Sequence, residues 1–216
     1  MRQAARHSLS ERELHEYVAG VEGHDEQLTG VVGFFNRRVR HHILTRISAL
    51  DVNGRDLLEV GCGEGHMFDG TAIQPVQVDI SMTRLARASA LGGGQSLLCA
   101  DGYRLPFRDG SFRVVLLAAV LEHTREPWRI LAEVRRVLRP GGRVVIVVPN
   151  DITMSAGRLM LRKFPIRYPD HLTFTTPGRM RRWLADGYRI VEAFHLPIPQ
   201  LPFAVNLYHF VVAQRA

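Results

Sequence analysis

A glycine-rich turn directly after a short apolar run constrains this chain more than any other feature. Residues 56–65 read Asp-Leu-Leu-Glu-Val-Gly-Cys-Gly-Glu-Gly, so Gly61, Gly63 and Gly65 alternate immediately behind the run. Alternate glycines let the backbone turn tightly at the end of a strand and come close to a ligand. The segment that follows is predicted to open a helix, whose first N–H groups favour an anion. The stretch therefore predicts a strand, a ligand-binding turn and a helix in succession.

An acidic residue completes the pattern of a nucleoside site. A second apolar run begins at Pro75 and ends at Asp79, 18 residues after Gly61. A carboxylate at the tip of the second strand accepts hydrogen bonds from ribose hydroxyls, and roughly 20 residues separate the two features in such units. The alternative is an ordinary turn between a strand and a helix, in which case the position of the acid is a coincidence.

The spacing of the turn also discriminates between ligands. Gly65 comes one residue too early for the G-x-G-x-x-G pattern, in which the third glycine allows close packing under a pyrophosphate. Glu59 precedes the first glycine by two positions, and a carboxylate there suits an ammonium group better than a phosphate. A ribose and an amino acid without phosphate describe S-adenosylmethionine (SAM).

Further segments extend this pattern along the chain. Asp79-Ile80-Ser81, Ala100-Asp101-Gly102, Leu121-Glu122-His123 and the Leu-Arg-Pro-Gly-Gly turn at 138–142 follow in order. Together with residues 59–65 they resemble the motifs of the class I SAM-dependent methyltransferases, over roughly residues 50–195. The most similar branch contains methyltransferases of quinone biosynthesis. The resemblance implies the following residues for cofactor binding: Glu59, Gly61, Cys62, Gly63, Gly65, Asp79, Ile80, Asp101, Gly102 and Ala118.

Alternating strands and helices predict a doubly wound α/β sheet. We expect strands at 56–60, 75–79, 96–100, 112–118, 143–148, 189–194 and 205–213. We expect helices at 9–18, 25–49, behind the glycine turn, and at 82–91, 127–138 and 177–185, with an irregular or partly helical insert at 150–176. The resemblance adds that the seven-stranded, Rossmann-like sheet is mostly parallel and that its last strand is antiparallel.

The composition fits one globular domain. The chain has 216 residues, of which 46% are hydrophobic and 23% charged, enough for one good core but short for two. We expect a helical cap at 1–50, a SAM-binding half at 51–148 and a substrate-side half at 149–216. Cys62 and Cys99 indicate neither a disulfide framework nor a metal site. The N-terminus lacks the apolar segment of a signal peptide, and no stretch is long enough to span a membrane, so we expect a cytoplasmic protein.

The net charge of +7 permits a nucleic-acid partner but does not favour one. Lys163 is the only lysine among 28 basic residues, and such a bias more often reflects a GC-rich genome than a binding surface. We expect the arginine clusters to be solvated helix faces. A nucleic-acid partner is therefore not expected, and the oligomeric state stays open.

Two histidines are the candidate catalytic residues. The sulfonium of SAM is a good leaving group, so the protein mainly positions the acceptor in line with the methyl group. A phenol or another protonated acceptor also needs a base, and a pKa near neutrality favours histidine. His123 follows the fourth strand, at the sheet edge where ligands bind, and His171 lies in the insert. The alternative for each is a structural or cap-forming histidine.

Residues outside the common sheet are expected to recognise the acceptor. Several are apolar, which indicates an apolar or aromatic small molecule, although they equally suit core packing: Tyr17, Phe34, Phe35, Met154, Met160, Phe164 and Tyr168. We therefore expect a SAM-dependent methyltransferase that acts on a small acceptor and releases S-adenosylhomocysteine. Two alternatives remain: a methyltransferase that acts on RNA or protein, and a non-catalytic SAM-binding or nucleotide-dependent protein of the same fold.

Overall fold

The computed structural model describes residues 9–21, 30–90, 96–160, 162 and 170–216. Four predicted features lie outside these residues: the start of the helix at 25–49, the end of the helix at 82–91, and the apolar candidates Phe164 and Tyr168.

Seven strands form one sheet in the order β3-β2-β1-β4-β5-β7-β6. Only β7 runs antiparallel to its neighbours, β5 and β6, while the other pairs are parallel. This confirms the doubly wound, mostly parallel sheet with an antiparallel last strand. The strand order reverses between β1 and β4, where the carboxyl ends of parallel strands open a crevice. The strands are β1 Leu57–Val60, β2 Val76–Asp79, β3 Ser96–Cys99, β4 Phe112–Ala118, β5 Leu138–Pro149, β6 Tyr188–Leu196 and β7 Tyr208–Arg215.

Within the described residues six α-helices accompany the sheet: α1 Glu11–Val21, α2 Gly30–Ser48, α3 Met82–Ala90, α4 Pro127–Val137, α5 Asp151–Met160 and α6 Pro177–Leu184. Proline at the first position of α4 and α6 removes an N–H group that has no partner inside a helix, and it fixes a helical φ angle. The hydroxyl of Thr176 caps α6 by accepting a hydrogen bond from the backbone nitrogen of Arg179. None of the helices that the structure describes combines the length and apolar character that a bilayer span requires.

The two faces of the sheet are covered by different helices. Helices α4 and α6 pack on one face through a cluster that includes Val134 and Met180. Helix α2 packs on the other face with Val39, Ile43 and Ile47, three residues that follow a helical spacing. The central strand β4 is buried from Val114 to Leu117, as both faces of a parallel strand must be.

The predicted helix behind the glycine turn is wrong. Residues 61–75 form successive turns, and only ten residues separate Gly65 from the start of β2. Gly70 interrupts this stretch with a φ of +68°, a left-handed conformation that ends any helix. Arg40 of α2 donates hydrogen bonds to the carbonyl oxygens of Met67, at 2.9 Å, and Asp69. The guanidinium of α2 thus satisfies carbonyl groups that a helix would have paired internally.

Candidate cofactor site and histidine cluster

The glycine turn is held by backbone geometry that side chains tolerate poorly. The φ angles are +72° at Gly61, +56° at Gly63 and +82° at Gly65, all in the left-handed region. A Cβ atom on Gly61 would lie 2.5 Å from a methyl carbon of Val120, so this position also requires the absence of a side chain. No atom lies within 4 Å of a Cβ placed on Gly63, so this glycine borders open space.

The carboxylate of Asp79 is fixed beside this turn at the end of β2. The backbone nitrogen of Gly63 donates to its Oδ2 atom at 2.8 Å, and that of Ser81 donates to its Oδ1 atom at 2.9 Å. Each carboxylate oxygen has a second lone pair and can accept one further hydrogen bond. The buried acid is therefore oriented and retains the capacity to bind hydroxyl groups.

Glu59 lies beneath the turn, in the interior of the sheet. It accepts a hydrogen bond from the side-chain nitrogen of Gln77 at 2.7 Å. Burial raises the pKa of Glu59 to about 8; the bond from Gln77 acts in the opposite direction, and the charge of Asp79 adds to the rise. Burial therefore favours the protonated form of Glu59 at neutral pH.

One cleft collects part of the predicted cofactor site at the carboxyl ends of the strands. Gly61, Asp79, Ile80, Asp101 and Gly102 line it, and His123 forms part of its wall. The other residues predicted for the cofactor are not among the described residues that line it: Glu59, Cys62, Gly63, Gly65 and Ala118. Further lining residues were not predicted from the sequence: Glu11, His15, Arg84, Tyr103, Ala119, Val120, Thr124 and Ile130.

Helix α1 lies across this cleft and is attached on two sides. The carboxylate of Glu11 accepts hydrogen bonds from the hydroxyl of Tyr103 at 3.1 Å and from the backbone nitrogen of Arg125 at 2.8 Å. On the other side Glu16 accepts from the backbone nitrogen of Met82 at 2.6 Å and from the hydroxyl of Ser81 at 3.1 Å. The helix thus bridges the loop behind β3 and the start of α3.

The two candidate histidines lie next to each other. His123 ends the short 3-10 turn Leu121–His123 behind β4, and its ring centroid is 5.0 Å from that of His171. The Nδ1 atom of His123 lies 3.1 Å from the carbonyl oxygen of Asp170, and burial lowers the pKa of this histidine to about 4. The structure therefore brings together two residues that are 48 positions apart in the chain. Of the two, only His123 lines the cleft.

Carboxylates surround this histidine pair. The Nδ1 atom of His171 lies 2.5 Å from the Oδ1 atom of Asp151, the first residue of α5. Burial lowers the pKa of His171, but the bond to Asp151 and the charge of Glu122 outweigh this effect, and the net shift is upward. Burial raises the pKa of Glu122 to about 8. The Oε1 atom of Glu122 lies 3.9 Å from the Nε2 atom of His123.

Known methyltransferases resemble this chain in part of its sequence and in its fold. Residues 58–146 match the family described as a methyltransferase domain. That segment is therefore similar to a methyltransferase domain. A probable S-adenosylmethionine-dependent methyltransferase of Mycobacterium tuberculosis is 35% identical over 122 residues, which cover 55% of this chain and 44% of that protein. A probable methyltransferase of Mycolicibacterium smegmatis is 34% identical over 122 residues, which cover 55% of this chain and 48% of that protein. The match thus spans less than half the length of these curated relatives.

Solved structures of methyltransferases share the architecture of this chain. A chain in the complex of the Haloferax volcanii Trm112 methyltransferase activator with a methyltransferase aligns with a TM-score of 0.68. It is 19% identical, and the alignment covers 95% of this chain and 97% of that one. The magnesium protoporphyrin IX methyltransferase of Synechocystis, with bound S-adenosylhomocysteine, also aligns with a TM-score of 0.68 at 15% identity, covering 96% and 100%. At these identities the likeness establishes the fold alone.

Proposed function

We propose that the chain binds SAM and transfers its methyl group to a small-molecule acceptor. The observation that supports this most strongly is the convergence of Gly61, Asp79 and the Asp101–Gly102 pair on one cleft at the reversal of strand order. Ligands bind to sheets of this type at that point. The relatives described above support SAM as the cofactor.

In this proposal different residues around the cleft bind different parts of SAM. Asp79 accepts the ribose hydroxyls with the lone pairs that Gly63 and Ser81 leave available. Ile80, Asp101 and Gly102 follow the ends of β2 and β3 and line the part of the cleft that receives the adenine of SAM. The glycine turn, whose Gly63 borders open space, receives the amino-acid part of SAM.

The cover formed by α1 supports a small acceptor. Helix α1 contributes Glu11 and His15 to the lining of the cleft and is attached to the loop behind β3 and to α3, so it covers part of the cleft, which favours a small acceptor over a folded macromolecule. The +7 charge of the chain is the observation that favours the second candidate, an RNA or protein acceptor.

We place the acceptor near His123, because this histidine forms part of the cleft wall. In the simplest form of the mechanism His123 takes the proton of the acceptor, with His171 packed against it. General-base catalysis of this kind contributes about 10²–10⁴-fold to a rate. The remaining acceleration comes from holding the acceptor in line with the methyl group.

Calorimetry and a methyl-transfer assay test the proposal in sequence. SAM and S-adenosylhomocysteine are expected to bind the purified chain, whereas NAD is not, and binding of NAD without SAM would contradict the cofactor assignment. The second experiment offers SAM with a labelled methyl group to small phenols, total RNA and a protein extract in parallel. Label is expected in the small-molecule fraction. Label only in RNA or protein would support the second candidate instead.

A further inference from the structure

We propose that Glu122, His123 and His171 bind one divalent transition-metal ion, of the zinc type, at the acceptor end of the cleft. The metal site itself stands on the geometry of the cluster, whereas its position beside the acceptor rests on the proposed function. The sequence indicates no such site, because the ligands come from two distant segments and lack a known metal-binding spacing.

The separations between the three side chains fit a single ion. Each offers one ligand atom, and these atoms all lie within 4.8 Å of one another. Two ligands at about 2.0–2.2 Å from one ion lie at most about 4.0–4.4 Å apart, the value for a linear arrangement. The 3.9 Å between Glu122 Oε1 and His123 Nε2 already satisfies this limit. The widest pair, at up to 4.8 Å, lies beyond this limit, and a tetrahedral site needs separations of about 3.3–3.6 Å, so the side chains have to close on the ion by up to about 1.5 Å.

Both histidines are oriented as metal-binding histidines usually are. The Nδ1 atom of His123 faces the carbonyl oxygen of Asp170, and the Nδ1 atom of His171 faces the carboxylate of Asp151. A bond from Nδ1–H to an oxygen selects the tautomer whose lone pair is on Nε2, and it fixes the ring direction. The outer partners of a two-histidine site are therefore present.

Glu122 supplies an independent observation. Its side chain is 1% exposed, and neither carboxylate oxygen has a hydrogen-bond donor among the residues that the structure describes. A buried carboxylate without a partner is unfavourable, and a cation removes this penalty. The backbone oxygen of Glu122 accepts a hydrogen bond from the nitrogen of Thr173 at 2.9 Å, which ties this turn to the segment that carries His171.

The donor set selects the class of ion. Two imidazole nitrogens and one carboxylate oxygen suit Zn²⁺ and Fe²⁺, whereas Mg²⁺ and Ca²⁺ prefer oxygen ligands throughout. An ion with three protein ligands keeps a position for a further ligand. Because His123 also lines the cleft, an oxygen of the acceptor is the natural occupant of that position. A nitrogen that holds an ion cannot accept a proton, so the ion would replace His123 as the group that favours a deprotonated acceptor.

A Co²⁺ titration tests the site on the untagged chain after treatment with a chelator. Co²⁺ serves as a visible-absorbing probe for the zinc position. We expect one Co²⁺ per chain, displaced by Zn²⁺ and not by Mg²⁺. Loss of an outer-shell partner alone weakens metal binding by about 10–100-fold, so Glu122→Gln and His171→Ala, which remove ligands, should weaken it by at least about 100-fold. His41→Ala, which removes an exposed imidazole on α2, should bind Co²⁺ as the wild type does.

The proposal is overturned if the wild type takes up no stoichiometric Co²⁺, or if folded Glu122→Gln binds it with unchanged affinity. Loss of the Co²⁺ band in His41→Ala would also overturn it, because the ion would then sit on the surface. Glu122→Gln keeps the shape of the protonated side chain, so it decides the question even where His171→Ala does not fold. SAM calorimetry on the same variants separates this site from the cofactor site, since loss of Co²⁺ with normal SAM binding affects only the metal.

Discussion

The backbone nitrogen of Gly63 donates a hydrogen bond of 2.8 Å to the carboxylate of Asp79. The turn and the acid, which the sequence separates by 16 positions, are therefore one physical unit. The acid orients the turn before any ligand arrives, so less order has to be created on binding.

Removal of the Asp79 carboxylate is expected to weaken SAM binding by at least tenfold. Hydrogen bonds to a charged group contribute about 1.5–3 kcal/mol each, and about 1.4 kcal/mol corresponds to a factor of ten. The measurement is calorimetry on Asp79→Ala. Asp109→Ala is the matched control, because it removes an exposed carboxylate that pairs with Arg136 and does not line the cleft. Equal SAM affinity in the two folded variants would show that Asp79 is not a ligand.

Gly63→Val and Gly70→Val distinguish backbone strain from loss of the ligand contact. Both glycines have a left-handed φ, +56° and +68°, and neither has an atom within 4 Å of an added Cβ. Each variant should lose stability, by at least the ~1–2 kcal/mol that a left-handed conformation costs a side chain. Only Gly63→Val should also lose SAM affinity, because its side chain enters the space offered to the cofactor. Similar SAM affinities in both variants would place the cofactor elsewhere.

The buried Glu59 should make stability depend on pH in a defined direction. Its pKa is raised from 4.5 to about 8, so the native state holds a proton that the unfolded chain releases at lower pH. The stabilising effect is complete below about pH 4.5 and is lost as the pH rises to about 8. Glu59→Gln, a mimic of the protonated form, should therefore gain in unfolding free energy over the wild type across this window. Denaturant titrations at several pH values measure this difference in unfolding free energy. A difference that does not change with pH would show that the pKa of Glu59 is not raised. The pKa of Glu122 is also raised, but both proteins contain Glu122, so its effect on stability cancels in the comparison.

The histidine pair is expected to act on turnover more than on cofactor binding. His123→Ala and His171→Ala should each lower kcat, by about 10²–10⁴-fold where proton removal limits the rate. SAM affinity should change little, since the histidines lie on the acceptor side. The assay uses an acceptor identified in the labelling experiment, with His41→Ala as the control. A normal kcat in both variants would leave catalysis to positioning alone.

Local sequence patterns predicted much of the sheet. Strand β4 lies at 112–118 as expected, because a continuous apolar run between turn residues has few other interpretations. The turn after β1 was predicted from its alternating glycines, but the helix expected behind it does not form. That outcome depends on Arg40 of α2, which binds carbonyl oxygens of the segment from outside. Gly70 is a local signal against a helix here, whereas the contact with Arg40 follows only from the packing of α2.

The parts of the site that were missed depend on long-range contacts. Glu11 lines the cleft and contacts Tyr103, which lies 92 positions away in the sequence. This contact depends on how α1 packs against the rest of the fold. The sequence shows only parts of the histidine cluster: Glu122 is adjacent to His123, and Asp170 is adjacent to His171. Only the fold shows that these two pairs meet.

The packing of α2 has a consequence for the boundaries of the folding unit. The segment that matches the methyltransferase family begins at residue 58, yet the apolar face behind its glycine turn is sealed by Val39, Ile43 and Ile47. An excised fragment of residues 58–146 would present that face to water and would lack β6 and β7 as well. The segment that matches the family is therefore smaller than the unit that folds cooperatively. Helix α2 belongs to that unit and helps to hold the glycine turn in place.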